Sequence, residues 1–134
     1  MTQHPAPGTD RGSVPGPVPG IDPGAVPGPD IWAMVGELVG WLDERNGTGP
    51  QETALRLLKL TEESGEVAQA YLGMTGQNPR KGTTHTSADV AGELCDVIVS
   101  AMVALHSFTD HPARLFTDRL SAIERRSRAF HESE

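Results

Sequence analysis

The chain has 134 residues, a formal net charge of −7 and a single cysteine, Cys95. That length accommodates one ordinary domain and not two. The acidic balance argues against a partner that is a nucleic-acid polymer held by counterion release, and one cysteine excludes an intrachain disulfide.

Residues 1–29 differ in kind from the rest. Val-Pro-Gly-Pro occurs at Val14 and again at Val26, and proline alternates with glycine throughout. Almost nothing in such a segment can be buried to offset its chain entropy, so a disordered Pro/Gly-rich extension is expected. Helix signals begin at Asp30, which can N-cap a helix running to about Arg45. Ile31, Met34, Val35, Leu38, Trp41 and Leu42 fall on one side of it at three- and four-residue spacing. Asn46, Gly47 and Gly49 stop it. Pro50 suits the first turn of a second helix that runs to Gly73, a C-cap candidate. A loop from Met74 to Thr86 follows, carrying Gly76, Asn78-Pro79 and Gly82. Thr86 or Ser87 opens a third helix reaching about Ser107. Asp110 or His111 caps a fourth, with Pro112 in its first turn and Leu115, Phe116, Leu120 and Ile123 at core spacing. No β-branched alternation appears, so the fold class is all-α: a four-helix bundle-type domain over residues 30–134. No stretch approaches the roughly 18 apolar residues of a membrane span. No secretory signal is visible at the N-terminus either. A cytoplasmic protein with no membrane partner is expected.

The carboxylates carry the functional information. On the second helix, Lys59, Glu62, Glu63 and Glu66 fall within roughly one third of the circumference. Alone, that is an amphipathic helix with a solvated acidic face. The third helix is apolar over most of its surface, through Val90, Ala91, Leu94, Val97, Ile98 and their neighbours. One narrow stripe interrupts it: Asp89, Glu93, Asp96 and Ser100. No lysine or arginine lies between Lys81 and Arg114, so these acids have no basic partner on their own helix. Carboxylates at the edge of an apolar interior are costly unless paired or bound to metal. Glu63 with Glu66, and Glu93 with Asp96, are each spaced i, i+3. Antiparallel packing of the two helices brings all four together. Four hard oxygen donors without histidine or cysteine select Mg²⁺ or Mn²⁺ over zinc. The apolar third helix also calls for a homo-oligomer to cover it.

The stretch Glu62-Glu63-Ser64-Gly65-Glu66, followed by Glu93-Leu94-Cys95-Asp96, resembles the paired motif of the MazG-like family of all-α nucleoside triphosphate pyrophosphatases. The resemblance spans about Leu55 to Leu105. Thr75-Gly76-Gln77-Asn78-Pro79-Arg80-Lys81-Gly82 looks like the loop between the motifs in a bacterial subgroup. The resemblance implies Mg²⁺ ligation by Glu63, Glu66, Glu93 and Asp96, with Glu62 a further ligand or a water-orienting base beside Glu63 in catalysis. It implies hydrolysis of the α–β phosphoanhydride of a nucleoside triphosphate to the monophosphate and pyrophosphate, and a homodimer or homotetramer. The chain is one short module, unlike the tandem enzyme that names the family.

Lys59, Arg80 and Lys81 are candidate phosphate contacts; a solvent-exposed cation is the alternative for each. Trp32 and Trp41 are expected in the core, with base stacking as the alternative. His85, His106 and His111 read as loop or cap residues, Ser100 as a hydrogen-bond partner of a ligand carboxylate. Arg119, Arg125, Arg126 and Arg128 read as a solvated face at a helix C-terminus. Two other functions stay open: a phosphoribosyl-ATP, dUTP or dCTP pyrophosphohydrolase of the same superfamily, and a non-catalytic helical interaction module.

Overall fold

Asp30 Oδ1 accepts from the backbone N–H groups of Trp32 at 3.0 Å and Ala33 at 3.2 Å, and α1 (Ile31–Asn46) begins there. The structure, a computed structural model, describes residues 28–132. The expected disordered extension therefore lies outside the described residues, apart from its last two positions. Gly47 ends α1 with a φ of 80°, a conformation that a Cβ would oppose. Pro50 occupies the first turn of α2 (Pro50–Met74), where a missing N–H leaves no bond unmade. The chain continues as α3 (Ser87–Leu105) and α4 (Pro112–His131), and no strand occurs among the described residues. The protein is all-helical.

One local reading changes. Gly73 is not the cap of α2. The helix runs past it, and Gly76, with a φ of 63°, takes the left-handed position. The N–H of Gln77 reaches Leu72 O at 3.1 Å and that of Gly76 reaches Gly73 O at 3.3 Å, the paired bonds of a Schellman ending. Gly73 is small for another reason: a Cβ there would overlap His85 Nδ1 and approach Thr84 Oγ1 to 2.5 Å. The N–H of Thr84 bonds to Gly73 O at 3.0 Å, so the loop folds back onto the helix end. A further local role falls to Asp89. Its Oδ2 accepts from Thr86 N at 2.7 Å, and Thr86 Oγ1 accepts from Asp89 N at 3.3 Å, a capping box that opens α3. The bonds from Thr86 hold the Asp89 carboxyl below its usual range. Asp89, at the head of the acidic stripe four residues before Glu93, is thus also the residue that closes the helix start.

α2 and α3 form the principal packed pair, and α1 lies against α3. Gly73 meets Thr84, Glu66 meets Glu93, and Lys59 shares a cavity wall with Ser100. Numbers falling on α2 match numbers rising on α3, so the pair is antiparallel. Val35 and Val39 of α1 and Val103 of α3 form the buried core, with Leu42 and Met102 packed on it. The buried Arg56 guanidinium joins α2 to α1: Nη2 donates to Asp43 at 2.7 Å and Nε to Glu52 at 3.1 Å. Burial opposes its charge, but the two carboxylates more than offset that and raise its pKa.

The core spacing expected of α4 does not become burial. No α4 residue is buried, and Leu115, Phe116, Leu120 and Ile123 are exposed. The Phe116 ring of α4 lies 5.8 Å from that of Trp32 on α1. Trp32 is half-buried and also meets His106 at 6.1 Å. Trp41 is not a core residue: it is 53% exposed, with the Arg45 guanidinium 6.0 Å from its ring. On α3, Leu94 and Ile98 are exposed as well. No helix among the described residues is long and apolar enough to cross a membrane.

Candidate metal centre

Helix α2 presents Glu63 and Glu66 one turn apart, and α3 presents Glu93 opposite them. One carboxylate oxygen from each of the three lies within 4.8 Å of the others. Glu63 is 6% exposed, Glu93 half-buried and Glu66 exposed, so the cluster grades from the helix interface outward. Three of the four expected ligands thus converge. Asp96, one turn beyond Glu93, is exposed and is not part of this group.

The electrostatics of the three acids are unequal. Lys59 Nζ lies 2.8 Å from Glu63 Oε1 and 2.8 Å from Glu62 Oε2. The bond from Lys59 holds the Glu63 carboxyl below its ordinary range, and the bonds to Glu62 and Glu63 raise the lysine pKa. Glu66 has no such partner among the described residues. The charge of Glu63 comes first among the effects that push its carboxyl up, followed by desolvation, a hydrogen bond with Glu63, and the charges of Glu93 and Glu62. Like charges held this close favour the neutral acid. The site therefore carries more negative charge than its lysine neutralises. An all-carboxylate donor set with uncompensated charge fits a hard divalent cation. Glu63, Glu66 and Glu93 are the residues that would hold it.

Lys59 faces the acids in this structure, and Glu62 is committed to the same lysine. Arg80 and Lys81 are exposed and form no ion pair among the described residues. Asn78 shapes their turn, its Oδ1 accepting from Arg80 N at 3.1 Å and its backbone O from Lys81 N at 3.0 Å. Lys81 borders a groove along α2 with Gly65, Gln69 and Leu72. On a helical wheel that strip lies about 120° from the acidic arc. His106 bonds Met102 O at 2.9 Å as the C-cap of α3, and His111 precedes α4 as its N-cap. Arg128 pairs with Glu124 at 2.6 Å. The exposed Cys95 stands apart from the acids.

Sequence reading missed the cavity beside the cluster. It has a volume of about 360 Å³ and is walled by Leu38, Leu42, Leu55, Val99 and Val103. Its polar members are Asn46, Glu52, Arg56, Lys59 and Ser100. Glu52 and Arg56 stand i, i+4 on α2, a spacing visible in the sequence, but Asp43 joins them only through folding. No protein-family model, no curated protein and no solved structure matches the chain.

Proposed function

We propose that the protein is a Mg²⁺-dependent nucleoside triphosphate pyrophosphohydrolase, cleaving the α–β phosphoanhydride to give the monophosphate and pyrophosphate. The observation that carries this reading is the convergence of Glu63, Glu66 and Glu93 from two consecutive helices, with Glu63 buried and Glu66 electrostatically strained. The motif resemblance supplies the reaction.

A triphosphate approaching bare carboxylates would be repelled. Bound Mg²⁺, or Mn²⁺ in its place, would reverse the local field and acidify coordinated water. In this scheme Glu63, Glu66 and Glu93 would hold the ion from both helices, with Asp96, one turn further along α3, as the remaining candidate ligand. Glu62 orients the attacking water. Lys59, which bonds Glu62 and Glu63 in this structure, would be available to phosphate oxygens if an ion took over its charge on Glu63. Arg80 and Lys81, which form no ion pair among the described residues, would reach the phosphate tail only if their loop moved from its strip of α2 toward the acids. Positioning and charge neutralisation are the main sources of catalysis in phosphoryl chemistry.

The exposed apolar residues of α3 and α4 support assembly as a homodimer or homotetramer. They also favour the second reading, a helical interaction module without catalysis. Product analysis decides between them. Incubation of the full chain with a panel of triphosphates and Mg²⁺ is expected to yield monophosphate and pyrophosphate. Diphosphate and orthophosphate would assign another cleavage, and no product would leave the interaction module. Including phosphoribosyl-ATP, dUTP and dCTP in the panel tests the narrower specificities.

A further inference from the structure

We propose that the cavity between α1, α2 and α3 seats a nucleobase and selects one carrying an exocyclic amine, cytosine or adenine, over the corresponding keto base. This rests on the function proposed above and names its substrate class. The cavity and the acids occupy consecutive turns of one helix. Leu55 and Lys59 line the cavity one turn apart, and Glu63 follows Lys59 by one more turn, in contact with it. A base in the cavity therefore has its phosphates directed along α2 toward the carboxylates, with Lys59 between. The volume of about 360 Å³ falls within the range of small-molecule sites, roughly 300–1,000 Å³. Walls of leucine and valine suit the faces of a flat ring.

The polar atoms set the preference. Glu52 lines the cavity, and its side chain is 11% exposed. Both bonds it receives, from Arg56 Nε at 3.1 Å and Asn46 Nδ2 at 3.3 Å, fall on Oε1. Oε2 carries neither. Asn46 spends its amide nitrogen on Glu52, which leaves Oδ1 as its other polar atom. Among the described residues neither Glu52 Oε2 nor Asn46 Oδ1 accepts a hydrogen bond, and both side chains line the cavity. An ionised carboxylate can only accept. The amine of cytosine or adenine supplies a donor, as it does to acidic side chains elsewhere. A keto oxygen at the same place sets acceptor against acceptor and leaves Oε2 without a donor, an unfavourable arrangement in a partly buried site.

Matched ring pairs isolate the effect. Calorimetric binding of CMP against UMP, and of AMP against IMP, to the full chain compares amine with keto on one ring and involves no turnover. The amine member is expected to bind at least about tenfold more tightly. Equal affinity, or preference for the keto member, overturns the proposal even if triphosphates are hydrolysed. Absence of hydrolysis with the amine preference intact overturns the enzymatic reading and leaves the cavity assignment standing. Glu52→Gln is expected to bring the ratio within each pair close to unity; an unchanged ratio counts against the assignment. Because Glu52 also holds Arg56, Leu55→Trp provides a second variant at an exposed wall. It fills the cavity and is expected to abolish binding of all four monophosphates, and retained binding would place the base elsewhere.

Discussion

Lys59 Nζ and Glu63 Oε1 lie 2.8 Å apart, one turn along α2, so the most buried acid of the candidate centre already has a cation. A lysine in that position does the electrostatic work of a metal at one carboxylate and leaves Glu66 uncompensated. A divalent ion entering the cluster must compete with it.

Replacing Lys59 with methionine separates those roles. Loss of the competing charge is expected to tighten Mg²⁺ binding severalfold, measured by calorimetry. Turnover is expected to fall by about tenfold or more if the released lysine serves the phosphates, since a charge-assisted hydrogen bond contributes on the order of 1.5–3 kcal/mol. Weaker metal binding in this variant would contradict the competition.

Glu66→Gln is expected to stabilise the metal-free protein while removing activity. Its carboxyl is pushed up by Glu63 and by the other acids around it. A group with a raised folded pKa favours the fold below its unfolded pKa and loses that contribution as pH rises through the folded value. The ionised wild type therefore carries repulsion that the amide lacks. Thermal melts in EDTA should show a higher Tm for the variant at neutral pH. The difference should vanish as pH falls through the raised pKa of Glu66, where the wild-type side chain is neutral too.

Gly73 and Gly40 form a contrasting pair. Both are helical, but a Cβ at Gly73 meets His85 and Thr84, whereas one at Gly40 meets nothing within 4 Å. Gly40→Ala is expected to gain about 0.5–1 kcal/mol. Gly73→Ala is expected to lose about 1–3 kcal/mol by overpacking. Urea denaturation of the two variants reads both values.

Arg56 is 8% exposed between Asp43 and Glu52. Arg56→Met removes the shared cation and leaves both acids unpaired, at a cost of about 2–3 kcal/mol once the partial exposure of Asp43 is allowed for. Asp43→Asn should cost less, because the Glu52 bond remains. An equal or larger loss in Asp43→Asn, by chemical denaturation, would put the weight of the network on α1.

The helix starts and the core of the site were visible in the residues because their physics is local. Asp30, Pro50 and Pro112 mark helix starts through backbone chemistry that tertiary contacts do not alter. Glu63 with Glu66 share a face by helical spacing alone, and antiparallel packing of the next helix brings Glu93 to them. Thr86-Ser87-Ala88-Asp89 carries a capping-box pattern that is legible in the sequence, and in it Asp89 serves the helix start while heading the acidic stripe. What the pattern could not supply was three-dimensional. Periodicity on α4 identifies an apolar face without saying what covers it, and among the described residues Leu115, Phe116, Leu120 and Ile123 stay exposed although Phe116 meets Trp32. Trp41 likewise sits at core spacing yet faces outward. The Arg56 network joins residues thirteen apart in the chain at Asp43, and the adjoining cavity exists only once three helices meet.

Isothermal titration of Mg²⁺ into the metal-free full chain, beside Glu63→Gln and Glu93→Gln, addresses the convergence of these acids most directly. Saturable binding in the wild type, lost or weakened by about tenfold or more in each variant from its own helix, is the expected result. Binding that is absent in the wild type, or undiminished in both variants, would mean that the carboxylates of α2 and α3 do not jointly hold a cation.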